Sequence, residues 1–282
     1  MDRVFKKIHD DGSETVIKHV RPTSRNEHGD IVTRFTPVTS IFISSSKGCP
    51  KKCVFCHLTE MGMEFKRLSD IDIVLNVMNA VQECEFVDFS TEFKLCFMGM
   101  GDPMIHPDTT CGVVESLSIA LDVIEVDIST IIPRDDGIDM IWRRIVNRLK
   151  IPTRLFYSLH AGKGTRNLII PKAQLRGRDS VALENWSNSN PLFIHYTPVA
   201  GLNDGLLDAM EIAEFAKRYG ADQVRMLEYN PYPDSLFERP SEEQLRGLYR
   251  LFQKYEVDVK WQVSKGKNEV AACGMFNNPM EQ

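Results

Sequence analysis

Residues 47–56 read KGCPKKCVFC and contain three of the seven cysteines of the chain. Cys49, Cys53 and Cys56 have the spacing C-x3-C-x2-C, and an apolar run at 39–44 that is typical of a buried strand precedes them. Three thiolates on one short loop can bind three irons of a 4Fe–4S cubane and leave the fourth iron open. The alternative is a zinc site with a fourth ligand, such as His57 or a distant cysteine.

This cysteine loop resembles that of the radical S-adenosylmethionine (SAM) superfamily. The resemblance rests on the spacing, on the aromatic Phe55 before the third cysteine and on the position after a strand. It implies that Cys49, Cys53 and Cys56 hold a 4Fe–4S cluster, and that SAM chelates the open iron and yields a 5′-deoxyadenosyl radical on reduction. It also implies that Phe55 packs near the adenine of SAM; simple core packing is the alternative for this residue, and the two are compatible.

Helix-like and strand-like patterns alternate from residue 36 onward. The predicted helices are 70–83, 110–121, 137–149, 174–186, 205–219 and 241–255. The predicted strands after the first are 93–98, 122–129, 153–158, 191–197, 223–227 and 257–263. Such alternation indicates parallel βα units, so we predict an α/β fold with an incomplete (β/α)6 barrel at 36–282. Functional motifs of such a barrel should follow the ends of strands.

Residues 1–35 are polar and carry turn signals at Asp11-Gly12 and His28-Gly29. They predict a small β-hairpin appendage to the barrel. Only this segment precedes the first predicted barrel strand.

Composition narrows the class of protein. The 282 residues are 43% hydrophobic, which favours a sizeable core over disorder, and no apolar run is long enough to span a bilayer. An odd number of cysteines and the lack of a recognisable signal peptide favour the reducing cytoplasm. The net charge of −5 neither requires nor excludes RNA. Basic groups that could contact RNA, or form only a solvated surface, are Lys51 with Lys52, the run Arg143, Arg144, Arg148 and Lys150, and Lys265 with Lys267.

A glycine-rich stretch, Gly99 to Pro103, follows the predicted strand at 93–98. Glycines allow the backbone to approach a ligand closely. Asp102 in this stretch could accept a hydrogen bond from the ammonium group of SAM. Gly-Asp-Pro is also an ordinary turn sequence, so the motif gains its meaning from its position one βα unit after the cysteines.

The chain as a whole resembles the radical SAM RNA adenine-C2 methyltransferases of the RlmN/Cfr type, a family that modifies ribosomal RNA and in some members transfer RNA. The resemblance covers roughly residues 4–276. The matching segments are Glu14-Thr15-Val16, Ser44-Ser45, Gly99-Met100-Gly101-Asp102-Pro103, Ser129-Thr130, Ser158-Leu159-His160-Ala161, Leu202-Asn203-Asp204-Gly205, Asn230-Pro231-Tyr232-Pro233 and Ala271-Ala272-Cys273-Gly274.

The resemblance implies a role for individual residues. Cys273 corresponds to the cysteine that becomes S-methylated, and Glu14 corresponds to the general base. The residues that would bind SAM are Gly101, Asp102, Ser129, Ser158, Leu159, His160 and Asn230.

The family mechanism overcomes the low reactivity of an aromatic carbon. A first SAM methylates the Cys273 thiolate, since thiolate sulfur is a strong nucleophile. A radical derived from a second SAM abstracts hydrogen from that methyl group, and the carbon radical adds to carbon 2 of adenine. Glu14 would then remove the proton from the substituted carbon. A second cysteine finally attacks the sulfur, forms a disulfide and releases the methylated base.

Three departures from the family pattern are visible. The resolving cysteine should lie seven residues before the first cluster cysteine, where this chain has Phe42. The other cysteines, Cys84, Cys96 and Cys111, have the apolar contexts of core residues. Asp102 replaces the usual glutamate. The helical N-terminal domain of the family also has no counterpart, so we expect RNA to be presented differently.

These observations predict a cytoplasmic, monomeric methyltransferase that takes electrons from a donor such as flavodoxin and acts on ribosomal or transfer RNA. One alternative keeps the radical SAM scaffold and changes the substrate to a nucleotide, a peptide or another base. A second alternative is a cluster-bearing binding or regulatory protein without catalysis. Retention of Cys273 and Glu14 argues against this second alternative, since a binding protein needs neither.

Overall fold

The computed structural model describes residues 2–33, 36–133, 136–172, 177–231 and 235–263. The strands are β1 Arg3–Ile8, β2 Glu14–Val20, β3 Thr23–Arg25, β4 Ile31–Thr33, β5 Val38–Ile43, β6 Ser46–Lys47, β7 Lys66–Arg67, β8 Glu92–Phe97, β9 Asp122–Thr130, β10 Thr153–Ser158, β11 Leu192–Tyr196, β12 Gln223–Leu227 and β13 Val259–Gln262. The α-helices are α1 His57–Glu60, α2 Asp70–Glu83, α3 Pro107–Ala120, α4 Gly137–Ile141, α5 Lys163–Ile169, α6 Gly177–Ser187, α7 Leu206–Arg218 and α8 Glu242–Lys254. A 3-10 turn spans Pro103–Ile105, and a π-helix at Trp142–Leu149 continues α4.

Local signals explain where the long helices begin. Ser69 caps α2, and the Asp72 side chain accepts from the Ser69 backbone in return. Ser241 and Gln244 form the same reciprocal pair at the start of α8. Each pair satisfies backbone donors that the first helical turn leaves without a partner, which is why the predicted starts at 70 and 241 are accurate within one residue.

Within the described residues, a large mostly parallel sheet of 11 strands organises the fold, in the order β1-β2-β5-β8-β9-β10-β11-β12-β13-β3-β4. Strands β5 and β8 to β13 pair in parallel with their neighbours. Helical segments connect each of these strands to the next, as the alternating pattern predicts. The prediction of an α/β fold is confirmed. The prediction of an incomplete barrel stays a prediction.

The N-terminal segment differs from the single hairpin that the turn signals predict. It forms two hairpins, β1–β2 and β3–β4, and these continue the central sheet at opposite ends. Strand β2 pairs with β5, and β3 pairs with β13, both antiparallel. The prediction of one hairpin is therefore wrong, although the signals at Asp11-Gly12 and His28-Gly29 each lie between the two strands of a hairpin. The attachment of both hairpins to strands far away in the sequence follows from edge hydrogen bonding, which no local pattern records.

The two faces of the sheet differ in character. One face packs Ile41, Leu95 and Val126 against the helices in the apolar core. The opposite face, here called the polar face, carries the register row Phe42, Cys96, Asp127 and Arg154. The Asp127 carboxylate accepts from Arg154 Nε at 2.8 Å and pairs with Lys94. Because side chains alternate between the two faces along each strand, the polar and charged groups gather on the polar face.

The predicted core cysteines divide between these faces. Cys84 and Cys111 lie in the apolar core, as predicted. Cys96 is also buried, but it lies on the polar face beside Phe42, and its Sγ is 3.9 Å from Asp127 Oδ2. Among the helices that the structure describes, none combines the length and the apolar character needed to cross a bilayer.

Candidate active site

A cavity of about 210 Å³ opens where the parallel strands end. Its walls come from the segments that follow β5, β8, β9, β10, β11 and β12. The sequence-predicted residues that line it are Cys49, Cys53, Phe55, Cys56, Gly101, Asp102, Ser129, Ser158, His160 and Asn230. Of the SAM residues implied by the resemblance, Leu159 is the exception: its side chain packs into the apolar core. The expectation that functional motifs follow strand ends holds for this cavity.

The cysteine loop is anchored by backbone contacts. Cys56 N donates to Cys53 O at 3.1 Å, and Val54 N donates to Ile169 O at 2.9 Å, which ties the loop to the end of α5. Burial raises the pKa of the Cys49 thiol to about 12, and burial together with Cys56 and Cys49 raises the pKa of Cys53 still further. Three thiolates in such a place need a cationic partner to balance them, and a group of irons is such a partner.

The donor set fits an iron–sulfur cluster. Cys49, Cys53 and Cys56 all line the cavity, and iron–sulfur clusters are held by cysteine thiolates. Three such ligands would occupy three irons of a 4Fe–4S cubane and leave the fourth iron for another ligand.

Asp102 links two strand ends. Its Oδ1 accepts from Met104 N at 2.9 Å and from the Thr130 hydroxyl at 2.8 Å, and its Oδ2 accepts from Ile131 N at 2.8 Å. Burial raises the pKa of this carboxyl, while the three hydrogen bonds oppose that shift. Only Oδ2 retains a lone-pair direction for a ligand. Asp102 thus has a bracing role that the sequence does not reveal, beside the predicted contact with SAM.

In the same loop as Asp102, position 99 requires glycine. A Cβ atom there would lie 2.7 Å from Ser44 N, at the end of β5. The Ser44 hydroxyl donates to Glu14 O at 2.6 Å and accepts from Met100 N at 3.2 Å. The loop after β8, the end of β5 and the start of β2 are therefore joined at one point.

A second polar group lies across the cavity. The Ser129 hydroxyl is 3.3 Å from the Ser158 hydroxyl and 3.2 Å from His195 Nδ1. Burial lowers the pKa of His195 to about 3, so the ring is neutral at physiological pH. His195 lines the cavity but was not found from the sequence, since an isolated histidine in an apolar strand looks like a core residue.

His160 is held in one orientation. Its backbone has a φ of +60°, and its Nδ1 accepts from Thr197 N at 3.2 Å. Burial, with His195 and Arg166 nearby, lowers its pKa well below the usual value, so the ring is neutral and carries its proton on Nε2. Phe55 meets this ring edge to face, with centroids 5.2 Å apart. Together the two rings form a rigid wall of the cavity.

Glu14 begins β2, which runs antiparallel to β5, and so it lies at the edge of the sheet where the cavity opens. Its side chain is 4% exposed and forms an ion pair of 2.9 Å with Lys6 on β1. Register places Glu14 on the polar face, the face to which Ser129 and Ser158 belong. Cys273 lies outside the described residues.

Curated relatives share most of the chain. The probable dual-specificity RNA methyltransferase RlmN of Synechococcus sp. is 27% identical over 250 residues, covering 84% of this chain and 67% of its own length. The protein of the same description from Deinococcus deserti is 29% identical over 250 residues, covering 84% of this chain and 69% of its own. That from Akkermansia muciniphila is 28% identical and extends over 99% of this chain. No protein-family model matches the chain.

A solved radical SAM methyltransferase from Sphaerobacter thermophilus has the same fold, with a TM-score of 0.73 and 22% identity over 97% of this chain and 80% of its own. This chain is thus similar over 84% or more of its length to proteins described as probable RlmN methyltransferases. SuiB of Streptococcus suis, solved with its precursor peptide SuiA, shares the fold at a TM-score of 0.56 over 77% of this chain and 47% of its own. The predicted resemblance to the radical SAM methyltransferases is confirmed, and so is the prediction of an enzyme of this class.

Proposed function

We propose that this radical SAM methyltransferase homologue methylates carbon 2 of an adenine in ribosomal or transfer RNA, through a methylated Cys273, on an incomplete (β/α)6 barrel. The observation that carries the proposal is the cavity at the strand ends. It gathers the three cysteines and all but one of the SAM residues implied by the resemblance, although these are spread over some 180 positions of the chain.

In this proposal Cys49, Cys53 and Cys56 hold the cluster, which with bound SAM supplies the 5′-deoxyadenosyl radical. Asp102 fixes the relative position of the loops after β8 and β9, so that the walls of the SAM site do not shift. Ser129 and Ser158 would offer hydroxyl groups to bound SAM. The neutral rings of His160 and His195 add no competing positive charge.

Glu14 is the proposed general base. A base must be ionised before it accepts a proton, and the Lys6 ammonium at 2.9 Å favours the ionised carboxylate. Burial around the pair also limits the access of bulk water, which protects a radical intermediate from side reactions. Glu14 shares the polar face with the cavity, as a base acting on a bound nucleobase requires.

A second candidate is radical SAM chemistry on a different substrate, without resolution by a disulfide. Phe42 favours this candidate, because it occupies the position of the resolving cysteine and its ring lies 4.7 Å from the Lys18 ammonium. The same proposal includes three further points: an electron donor of the flavodoxin type, a cytoplasmic location and a monomeric state.

The test is anaerobic incubation of the reconstituted enzyme with SAM, a reductant and bulk cellular RNA. Nucleoside mass spectrometry should then detect 2-methyladenosine. The matched variant Cys273→Ala should still release 5′-deoxyadenosine and form no 2-methyladenosine. Release of 5′-deoxyadenosine by the wild type with every RNA unmodified would instead support the second candidate. Absence of 5′-deoxyadenosine altogether would refute both. Peptide mass spectrometry of the protein as expressed should find a methyl group on Cys273.

A further inference from the structure

Five basic residues lie on the cysteine loop or on the short two-stranded ribbon joined to it. Strand β6 pairs antiparallel with β7, which places Lys47 opposite Lys66 and Ser46 opposite Arg67. Lys51 and Lys52 belong to the loop between the cysteines, and Lys51 lines the cavity itself. These residues, Lys47, Lys51, Lys52, Lys66 and Arg67, are here called the basic rim.

The basic rim differs in its ion pairing from the basic run at 143–148. In the run predicted as a second basic patch, Arg144 pairs with Glu115 at 2.7 Å, Arg148 approaches the same carboxylate at 3.4 Å and Arg143 pairs with Asp139 at 2.8 Å. That patch is largely neutralised within the protein. Among the described residues, no carboxylate oxygen lies within 4.0 Å of a basic-rim nitrogen, although the chain is acidic overall.

Few carboxylates lie in the same segment of the chain. Glu64 is exposed on the ribbon beside Lys66, and Glu60 is partly buried on α1. The Asp72 carboxylate is engaged by Ser69 at the start of α2. The segment from β6 to β7 therefore carries five cations against two carboxylates, in a protein whose net charge is −5.

The basic rim is also rigidly attached to the cluster loop. Gly48 has a φ of +61°, and a Cβ atom there would lie only 2.6 Å from Glu64 O, so the β6 and β7 segments touch through their backbones. Leu58, Met63 and Met100 pack into a small apolar cluster beneath them, together with Cys49 and Cys56. The backbone that carries the basic rim is therefore held close to the cysteine loop.

We propose that the basic rim binds the phosphates of single-stranded RNA on either side of the nucleotide that enters the cavity. The inference rests on the proposed function. RNA phosphates bind such groups with release of counterions, and an enzyme acting on a base must receive that base unstacked from its neighbours. Phe65, which is 36% exposed next to Lys66, offers a ring on which an adjacent base can stack. The rim thereby supplies docking on the barrel itself.

The test compares two double variants that lose the same charge. Lys66→Gln/Arg67→Gln removes two rim cations from the exposed strand β7, and Arg143→Gln/Arg148→Gln removes two paired ones. Binding of a fluorescent, adenine-containing single-stranded RNA is measured by anisotropy from about 50 to 300 mM salt. Two single-strand phosphate contacts contribute about 1.4 to the salt slope, which corresponds to a roughly 10–30-fold weaker Kd near 0.1 M salt.

We expect that loss for the rim variant and less than about a twofold change for the control variant, since paired surface cations contribute little. Iron content of both variants establishes that the cysteine loop is intact. Equal weakening in both variants, or none in the rim variant, would overturn the inference. If the wild type methylates RNA in the same preparation, the proposed function survives that result. If the wild type binds no RNA and methylates none, the RNA part of the proposed function fails first and the inference fails with it.

Discussion

Glu14→Gln tests the buried ion pair and the proposed base together. The Lys6 and Glu14 side chains are 7% and 4% exposed, and their charged atoms lie 2.9 Å apart. Glutamine keeps the size of the side chain and removes the charge. The variant therefore removes the carboxylate that lies 2.9 Å from the buried Lys6 ammonium.

The magnitude follows from that burial. Removal of one partner from a buried ion pair costs about 3–5 kcal/mol, because the remaining charge is neither hydrated nor balanced. For a chain of this size, 1 kcal/mol changes Tm by about 2–4 °C. Glu14→Gln should thus lower Tm by roughly 10 °C at pH 7. Calorimetry or circular dichroism of the anaerobic protein measures this shift.

A double variant separates stability from catalysis. In Lys6→Met/Glu14→Gln neither member of the pair carries a charge, and replacement of such a pair by uncharged groups is often neutral. We expect Tm to return to within a few degrees of the wild-type value, while 2-methyladenosine formation stays as low as in the single variant. Recovery of both properties would show that Glu14 has a structural role only. An unchanged Tm in Glu14→Gln would refute the buried pair.

The pH dependence has a definite sign. Burial lowers the pKa of Lys6 below its usual value, and Glu14 partly opposes that shift, so Glu14→Gln should lower it further. A lysine with a depressed pKa stabilises the fold above its unfolded pKa, and that stability is lost as the pH falls through the folded pKa. The Tm deficit of Glu14→Gln should therefore shrink as the pH rises from 7 toward 10. A deficit that grows over this range would contradict the assignment.

Three further variants test the site. Cys53→Ala should lose the cluster in anaerobic iron and sulfide analysis, whereas Cys84→Ala in the apolar core should retain it; zinc without iron in the wild type would contradict the cluster. Asp102→Ala leaves three buried donors without an acceptor and should lower Tm by roughly 10 °C, whereas Asp108→Ala, at an exposed carboxylate, should change it little. In the wild type, a covalent RNA adduct on a denaturing gel should fade as the dithiothreitol concentration rises. Phe42→Cys should speed release of this adduct, since a tethered thiol has a high effective concentration. Rapid wild-type turnover without added thiol and without adduct would rule this out.

Local patterns in the sequence suffice for the order of helices and strands. The predicted elements 70–83, 153–158 and 223–227 coincide with α2, β10 and β12. Hydrophobic periodicity and capping residues involve neighbouring positions only, so they can be detected in the sequence without knowledge of the fold. The short helix α5 and the ribbon β6–β7 were missed, because their few residues show no periodicity and tertiary contacts hold them in place.

In the candidate site, too, some features follow from the sequence and others only from the tertiary structure. The cysteine spacing and the strand-end rule placed Cys49, Cys53, Phe55 and Cys56 beside one cavity, since parallel strands bring their ends to one edge. The pairing of Glu14 with Lys6, the bracing by Asp102, the presence of His195 and the unpaired basic rim were decided by the tertiary structure alone. Each depends on distances between groups far apart in sequence, and burial and charge balance are set by those distances rather than by any single stretch of the chain.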